Sequence, residues 1–443
     1  MSLNGVLGPW MFKRFFKKGR AGRKEQPRVI KQQSHAVSRN DISENALKVL
    51  YRLNEAGFEA YLVGGGVRDM LLHSKPKDFD VATNARPQEI RQLFRNSRLI
   101  GKRFRLVHVF FPNEVIEVST FRANAEEMHR NRELTETKGQ HPGMLLEDNT
   151  YGTIEEDAWR RDFTVNALYY NIKDLSVVDF MGGIADLQKR LIRMIGDPVQ
   201  RYHEDPIRLL RAIRLSAKLG FKIEPKTRDP LTQLHGLLRH VPSSRLFYEI
   251  TKLFFEGHAY VGYQQMMKMG YMKVLFPETV RAATSSEESN YLRLIELALQ
   301  ATDKRYHQGQ TLNPGFLFGV FLWPVVQDHL QRASKQRGHL FQALYHGISV
   351  ATQLQVKALP IPRRLIAIMR SMWTFQYHLE RRRASRIHHI FHQRFFRAAF
   401  DFLKLRAESG EPLMEIVQWW QAFQDASNQQ RERLIDGLKQ EKR

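Results

Sequence analysis

Leu62-Val63-Gly64-Gly65-Gly66-Val67-Arg68-Asp69, followed one short helix later by Asp78-Phe79-Asp80, is the stretch that decides how this chain folds. Tyr61–Val63 reads as a strand and Val67–Leu72 as the opening of a helix. Glycines between them let the backbone approach a ligand and turn N–H groups toward it, and a helix start favours a phosphate. Arg68 adds a fork of donors for phosphate oxygens. Taken alone, three glycines after a strand more often make a tight turn. The second motif changes that balance. Phe79–Ala82 reads as a strand, in which residues i and i+2 share a face, so Asp78 and Asp80 project together while Phe79 and Val81 enter the core. Neighbouring carboxylates repel unless a hard cation lies between them. Mg²⁺ held by carboxylates and substrate phosphates is the usual arrangement where phosphoryl groups move, and two such ions, Mg²⁺ or else Mn²⁺, fit this pair.

Outward from this centre, Pro87–Asn96 reads as a helix, Phe104–Phe111 and Val115–Thr120 as a hairpin turning at Pro112-Asn113, and Ala123–Gly143 as a loop. Upstream, Asp41 caps a helix that has Glu44 in its first turn. A third carboxylate usually completes such a site, and the sequence leaves two candidates open. Glu117 lies in the apolar strand Val115–Val118, where an acid wants a partner. Asp162 lies in Arg160-Arg161-Asp162-Phe163-Thr164-Val165-Asn166, where cations, an anion and an amide suit a triphosphate and a ribose. A fourth element begins at His203-Glu204-Asp205-Pro206. Asp205 before Pro206 is a cap and first turn, and Asp205 shares a helix face with Arg208. Arg208, Arg211, Arg214 and Lys218 form a basic stripe opposite Leu209, Leu210, Ile213 and Ala217. A carboxylate and a guanidinium held together can read the edge of a base.

The whole chain frames this site. It has 443 residues, no cysteine and a net charge of +23. Missing thiols exclude disulfides, thiolate metal sites and cysteine nucleophiles, and fit a reducing cytoplasm. No apolar run reaches the length of a membrane-spanning helix. The charge calls for a polyanion, with RNA or DNA first and an anionic membrane surface a further possibility. Residues 1–40 hold ten Lys/Arg against one acid, Glu25, with Trp10, Phe12, Phe15 and Phe16 interspersed, and read as a flexible basic arm able to touch a membrane surface or stack on RNA. Residues 41–183 read as an α/β catalytic head. From Ile184 onward the apolar pattern is helical, punctuated by Pro277, Pro314, Pro324, Pro360 and Pro362. A helical neck and body over 184–290, a helical RNA-binding region over 291–425 and a fraying charged tail over 426–443 are expected. Three close histidines, His388, His389 and His392, are not a metal site, because no carboxylate stands in ligand spacing beside them.

Gly64–Asp69, Asp78–Asp80, Arg160–Ala167 and Glu204–Arg214, in that order, resemble the class II branch of the polymerase β-like nucleotidyltransferases, which holds bacterial poly(A) polymerases and CCA-adding enzymes. The resemblance implies an α+β protein: a small head with a mixed sheet, then an all-helical neck, body and tail. It implies that Asp78 and Asp80 bind the metals, with Asp162 and Glu117 completing or supporting the acidic cluster. Gly65, Gly66, Arg68, Asp69, Arg161 and Asn166 would cradle the nucleotide. Glu204, Asp205 and Arg208, with Arg211 and Arg214, would recognise its base without a template. Leu99–Val109 resembles the signature of bacterial poly(A) polymerases, and Lys102, Arg103, Arg105 and His108 would fix the nucleotide or RNA end. The expectation is a cytoplasmic, monomeric enzyme taking ATP and RNA 3′ ends, with RNA-decay proteins as partners. A CCA-adding enzyme and a non-catalytic RNA-binding protein on the same scaffold are the rival readings. Further on, Pro360–Arg364 and Phe395–Asp401 carry a looser likeness to the family, and Arg381–Arg383, Arg386, His388, Phe391, Arg394 and Phe395 offer cations and aromatics for RNA.

Overall fold

The computed structural model describes residues 26–101, 105–123, 151–285, 290–335 and 339–440. Two units divide between Lys189 and Arg190.

The first unit is built on one mixed sheet. Its strands are β1 (Arg28–Ile30), β2 (Ala60–Val63), β3 (Asp80–Thr83), β4 (Ser97–Ile100), β5 (Leu106–Phe111), β6 (Glu114–Thr120), β7 (Leu168–Asn171) and β8 (Val177–Asp179). Their order is β1-β8-β7-β2-β3-β6-β5-β4. Only β3 and β6 run parallel; the other neighbours are antiparallel. Helices α1 (Glu44–Glu55) and α3 (Pro87–Leu93) touch each other and both pack on β6, so they cover one side. Their stripes Val49, Leu50, Leu53 and Ile90 are buried there. Between them in sequence, α2 (Gly65–Leu71) leaves the end of β2. On the other side Val63, Ala82, Phe121, Ala158 and Tyr169 form a second core. Asp80 shares that side with Ala82, two residues along the same strand.

Four expectations for this half need correction. The 1–40 arm is not all arm: Arg28–Ile30 adds β1 to the sheet beside β8. Asp41 does not cap α1. Ser43, two places nearer, accepts from the Ala46 amide at 3.1 Å, while Asp41 accepts from the Ser38 amide at 3.3 Å in the preceding turn. The first strand of the hairpin begins at Leu106, after non-strand Arg105, with Phe104 outside the described residues, and it also pairs with β4, an exposed edge strand beyond the expected hairpin. The head ends beyond Gly183, because helix Gly183–Gln188 belongs to it. The Asp179 carboxylate accepts the Gly183 and Ile184 amides at 2.9 Å each, and the Thr164 hydroxyl donates to Asp186 at 2.8 Å. Residues 1–25 and nearly all of the expected 123–143 loop lie outside the described residues.

The second unit is helical apart from a two-stranded parallel ribbon, Leu191–Ile192 with Lys222–Ile223. Phe318, Phe321, Trp323 and Val326 of helix Pro314–Lys335 are fully buried. Pro324 sits inside that helix and does not end it. It removes one ladder hydrogen bond, and packing against helices Leu340–Ala358 and Arg363–Arg381 keeps the helix whole. The expected fraying tail is instead helix Asn428–Gln440, whose Ile435 and Leu438 enter a core with Phe396, Phe400, Trp420 and Phe423. Apolar residues at 434, 435 and 438 make one short stripe, which a charged composition hides. Phe391, expected to stack on bases, packs inward on Phe396 at 5.2 Å and Phe423 at 5.4 Å.

Candidate active site

β2 is followed by Gly64, whose φ of 73° and ψ of −136° lie where side chains are strongly disfavoured. A Cβ there would stand 3.5 Å from Arg161 Nη1 and 3.9 Å from Asp80 Oδ2. The turn therefore runs directly beneath a guanidinium and a carboxylate that come from distant parts of the sequence. A Cβ on Gly66 would meet the Asp78 carbonyl at 3.3 Å, so the glycines also let α2 pass close under the Asp78–Asp80 segment. Asp78 and Asp80 are exposed on either side of Phe79, which is 7% exposed, the alternation that the sequence predicts. We expect Gly64→Ala to destabilise the head by roughly 1–3 kcal/mol through backbone strain rather than collision, read by urea unfolding.

The 160–167 segment follows helix α4 (Ile154–Trp159), whose cap is the box formed by Thr153 and Glu156. Two residues that sequence reading missed, Asp157 and Tyr169, hold Arg161. Asp157 is fully buried and accepts Arg161 Nη2 at 3.1 Å, the Tyr169 hydroxyl at 2.8 Å and the Arg160 guanidinium. Arg161 Nε also donates to the Tyr169 oxygen at 2.9 Å, and its guanidinium lies over the Tyr169 ring. The i, i+3 and i, i+4 spacing of Asp157 to Arg160 and Arg161 was the available signal. Burial opposes the Asp157 charge, but Arg161, Arg160 and the Tyr169 hydroxyl outweigh it and hold the carboxyl below its ordinary value. For Tyr169 burial leads, and its hydroxyl is pushed well above the usual tyrosine range. The sign for Asp157 follows: with the folded pKa depressed, its stabilisation is full above the unfolded carboxyl pKa of about 4 and fades as pH falls through the folded value. Asp157→Asn should therefore cost roughly 3 kcal/mol at pH 7.5, the scale for a broken buried ion pair, and much less in acid below the folded value. Urea midpoints of both proteins across that range read the difference.

Asp162 is 9% exposed, and its Oδ1 accepts the Phe163 amide at 2.8 Å and Asn166 Nδ2 at 3.2 Å. Asn166 Oδ1 accepts Arg68 Nη1 at 2.6 Å. Arg68, expected as a fork for phosphate, is buried, and its Nε and Nη2 donate to Asp69 at 2.8 and 2.6 Å. Arg68, Asp69, Asn166 and Asp162 thus form one chain of bonds tying α2 to the 160–167 turn.

Glu117 is the register partner of Asp80 across the parallel β3–β6 pair. Both therefore lie on one side of the sheet. His108 is the partner of Glu117 across β5–β6, and its Nε2 is 3.4 Å from Glu117 Oε2. Three adjacent strands bring Asp80, Glu117 and His108 into one row. Gly101, just after β4, has a φ of 91°, and Arg105 immediately precedes β5; Lys102, Arg103 and Phe104 lie outside the described residues. Among the described residues no three metal-ligating groups close into a cage. An open edge of oxygen donors suits Mg²⁺, which keeps water and substrate oxygens in its shell.

The remaining predicted residues belong to the second unit, on helices Pro198–Glu204 and Ile207–Leu219. The expected Asp205–Arg208 partnership is replaced by two crossed ones. Arg208 bonds Glu204 at 3.0 Å and the Arg201 carbonyl at 2.8 Å, while Asp205 bonds Arg245 at 2.8 Å. Asp205 still caps weakly, taking the Ile207 amide at 3.4 Å. Arg211 follows one turn after Arg208. Arg214 is committed to Glu249, which is 3% exposed, and so bridges two packed helices.

A glycine turn under a guanidinium, an Asp-x-Asp strand and a carboxylate in register on the next strand, all on a mixed sheet before a helical unit, define a class II nucleotidyltransferase of the polymerase β-like kind. Solved structures of the same fold include the Bacillus stearothermophilus CCA-adding enzyme in complex with CTP, at a TM-score of 0.56 and 22% identity over 84% of this chain and 80% of that one. Another is the Thermotoga maritima CCA-adding enzyme complexed with tRNA, at 0.55 and 21% over 88% and 86%. Residues 60–193 match the poly A polymerase head domain, 220–282 the region described as "probable RNA and SrmB-binding site of polymerase A", and 336–443 the polymerase A arginine-rich C-terminus. Poly(A) polymerase I of Salmonella typhimurium is 46% identical over 93% of this chain and 88% of its own, and that of Haemophilus influenzae 43% over 94% of each. The CCA-adding enzyme of Lactobacillus helveticus is 36% identical, over 51% of this chain and 53% of its own. The chain belongs to the bacterial poly(A) polymerase I family.

Proposed function

We propose that this protein adds AMP residues from ATP to the 3′-hydroxyl of RNA without a template, releasing pyrophosphate. The observation that carries the reading is the row Asp80–Glu117 beside the Gly64 turn and Arg161, in a chain that resembles poly(A) polymerases along nearly its whole length. The sequence match to the CCA-adding enzyme of Lactobacillus helveticus spans only about half of it.

Asp78 and Asp80 would hold Mg²⁺, with Mn²⁺ a substitute, and Glu117 would be the third carboxylate. The bound ions would supply an acidified 3′-hydroxyl and a counter-charge for the leaving pyrophosphate. The chain's own residues position the reactants. Arg161, fixed by Asp157 and Tyr169, offers its Nη1 over the Gly64 turn to the triphosphate. Gly65 and Gly66 leave room for it. Asp69, Arg68, Asn166 and Asp162 keep the turn and the 160–167 segment in register. Catalysis then rests on alignment and charge stabilisation, as is general for phosphoryl transfer. On the second unit, Glu204, Asp205, Arg208 and Arg211 present donors and acceptors for adenine, with Arg214 as a support. Lys102, Arg103, Arg105 and His108 would hold the nucleotide or the RNA end in one pose. A basic arm suited to anionic surfaces, RNA-decay partners, a cytoplasmic site of action and a monomeric state complete the reading.

The test is incorporation on a generic unstructured RNA and on a tRNA lacking CCA, with each NTP alone and in combination. Long ladders from ATP alone on the generic RNA are expected. Addition restricted to the tRNA, with CTP required first, would replace this reading with CCA addition.

A further inference from the structure

We propose that a recess in the second unit, lined by Tyr377, His378, Arg381, Arg383, Arg386 and Ile390, is a phosphate-binding site that takes a backbone phosphate of the bound RNA. It rests on RNA being the polymer this protein binds, and it adds an anchor separate from the residues assigned to chemistry.

The recess is built by an unusual turn. Helix Arg363–Arg381 stops at Arg382, whose φ of 41° is left-handed for a residue with a side chain. That conformation is held from outside: the Arg382 guanidinium bonds Glu415 at 3.0 Å and lies over the Trp419 ring. The reversal sends the chain back through the short turn Ala384–Arg386. Arg383 and Arg386 are thereby returned to the wall that Arg381 and His378 already form. The sequence places Arg381, Arg383 and Arg386 close together, and the Arg382 turn brings them to one recess.

Charge is left uncompensated there. Arg383 and Arg386 are exposed, and neither has a carboxylate at ion-pair distance among the described residues. The acids on neighbouring elements are engaged elsewhere: Glu415 by Arg382, Glu380 by buried Arg406, Glu432 by His388. Burial first, and then Arg386, Arg383 and His389, depress the pKa of His378, as an excess of positive field requires. The recess is shallow, with about 20 Å³ of enclosed space, so an anion would sit at its mouth between the arginines. Its aromatic wall is already covered, since Tyr377 lies under Arg381 at 4.3 Å and against Phe341 at 5.0 Å. Donor forks without an open ring face suit a phosphate and not a stacked base. Such a contact is blind to sequence, which fits an enzyme without a template.

The test compares wild type, Arg383→Ala/Arg386→Ala and Arg383→Lys/Arg386→Lys as full-length proteins. Binding of an oligo(A) RNA is measured over a salt series without nucleotide or divalent metal, and inorganic pyrophosphate is titrated as a second ligand. The alanine pair should bind RNA about tenfold more weakly at low salt, and the slope of log affinity against log salt should fall by about 0.7, one single-strand phosphate contact. The lysine pair should keep most of the slope. The urea midpoint of both variants should match wild type. Unchanged RNA affinity and slope in the alanine pair overturns the proposal. If pyrophosphate binding alone is lost, the ligand is a soluble phosphate and the RNA assignment is wrong. A lysine pair as weak as the alanine pair would mean a structural role. Because RNA binding is read apart from AMP transfer, failure of this site and failure of the proposed activity give different results.

Discussion

Asp80→Asn should slow AMP transfer at least about a thousandfold while leaving RNA binding no weaker than in wild type. The size follows from what the carboxylate is asked to do. A metal-held phosphate draws several kcal/mol of transition-state stabilisation from the ions, and each 1.36 kcal/mol is a factor of ten in rate. Losing about 4 kcal/mol gives the expected thousandfold. Asp80 is exposed at the first position of β3, so the isosteric amide removes charge without opening a cavity. Its near neighbours are the Gly64 turn and Glu117, neither of which depends on it for burial. Single-turnover extension of a labelled RNA reads the rate, and filter binding without ATP reads the RNA. Mn²⁺ binding followed by electron paramagnetic resonance should show lower occupancy. A rate within about tenfold of wild type would remove Asp80 from the proposed metal site.

The head was legible because its signals are local. A strand, a glycine turn and an Asp-x-Asp strand each declare themselves within a few residues, and alternation alone assigned Asp78 and Asp80 to one face. What stayed hidden is long-range. Nothing near Glu117 says that it lies beside Asp80, because that fact belongs to the one parallel pairing in the sheet. Tyr169 reads as an ordinary strand residue, and only the fold brings it against Arg161. Spacing also misled. Asp205 and Arg208 are spaced as if on one helix face, yet Asp205 lies between two helices, Glu204 at i−4 takes the Arg208 guanidinium, and Arg245, forty residues on, takes Asp205. A long side chain chooses among every partner within reach, and one-dimensional spacing shows only some of them. The misread tail and Pro324 share another cause: composition and a breaker residue were weighed without the tertiary packing that overrides both.

The two candidates for the third carboxylate, Glu117 and Asp162, make opposite predictions. Glu117→Gln should lower the rate of AMP transfer about a hundredfold and weaken Mn²⁺ binding, with little effect on stability. Its side chain is 42% exposed and its partner His108 is 3.4 Å away, so little folding energy rides on the charge. Asp162→Ala should behave differently. Its Oδ1 is already used by the Phe163 amide and Asn166, and removing it leaves buried donors without an acceptor, a loss of roughly 1–3 kcal/mol in stability. Asn166 then loosens its hold on Arg68, and the 160–167 segment that carries Arg161 shifts. The expected kinetic signature is a KM for ATP raised about tenfold with Mn²⁺ binding intact. The assignment turns on that split. If Asp162→Ala lost metal binding and rate together while Glu117→Gln kept both, Asp162 would be the third ligand, and the register of β3 against β6 would be a feature of the sheet alone.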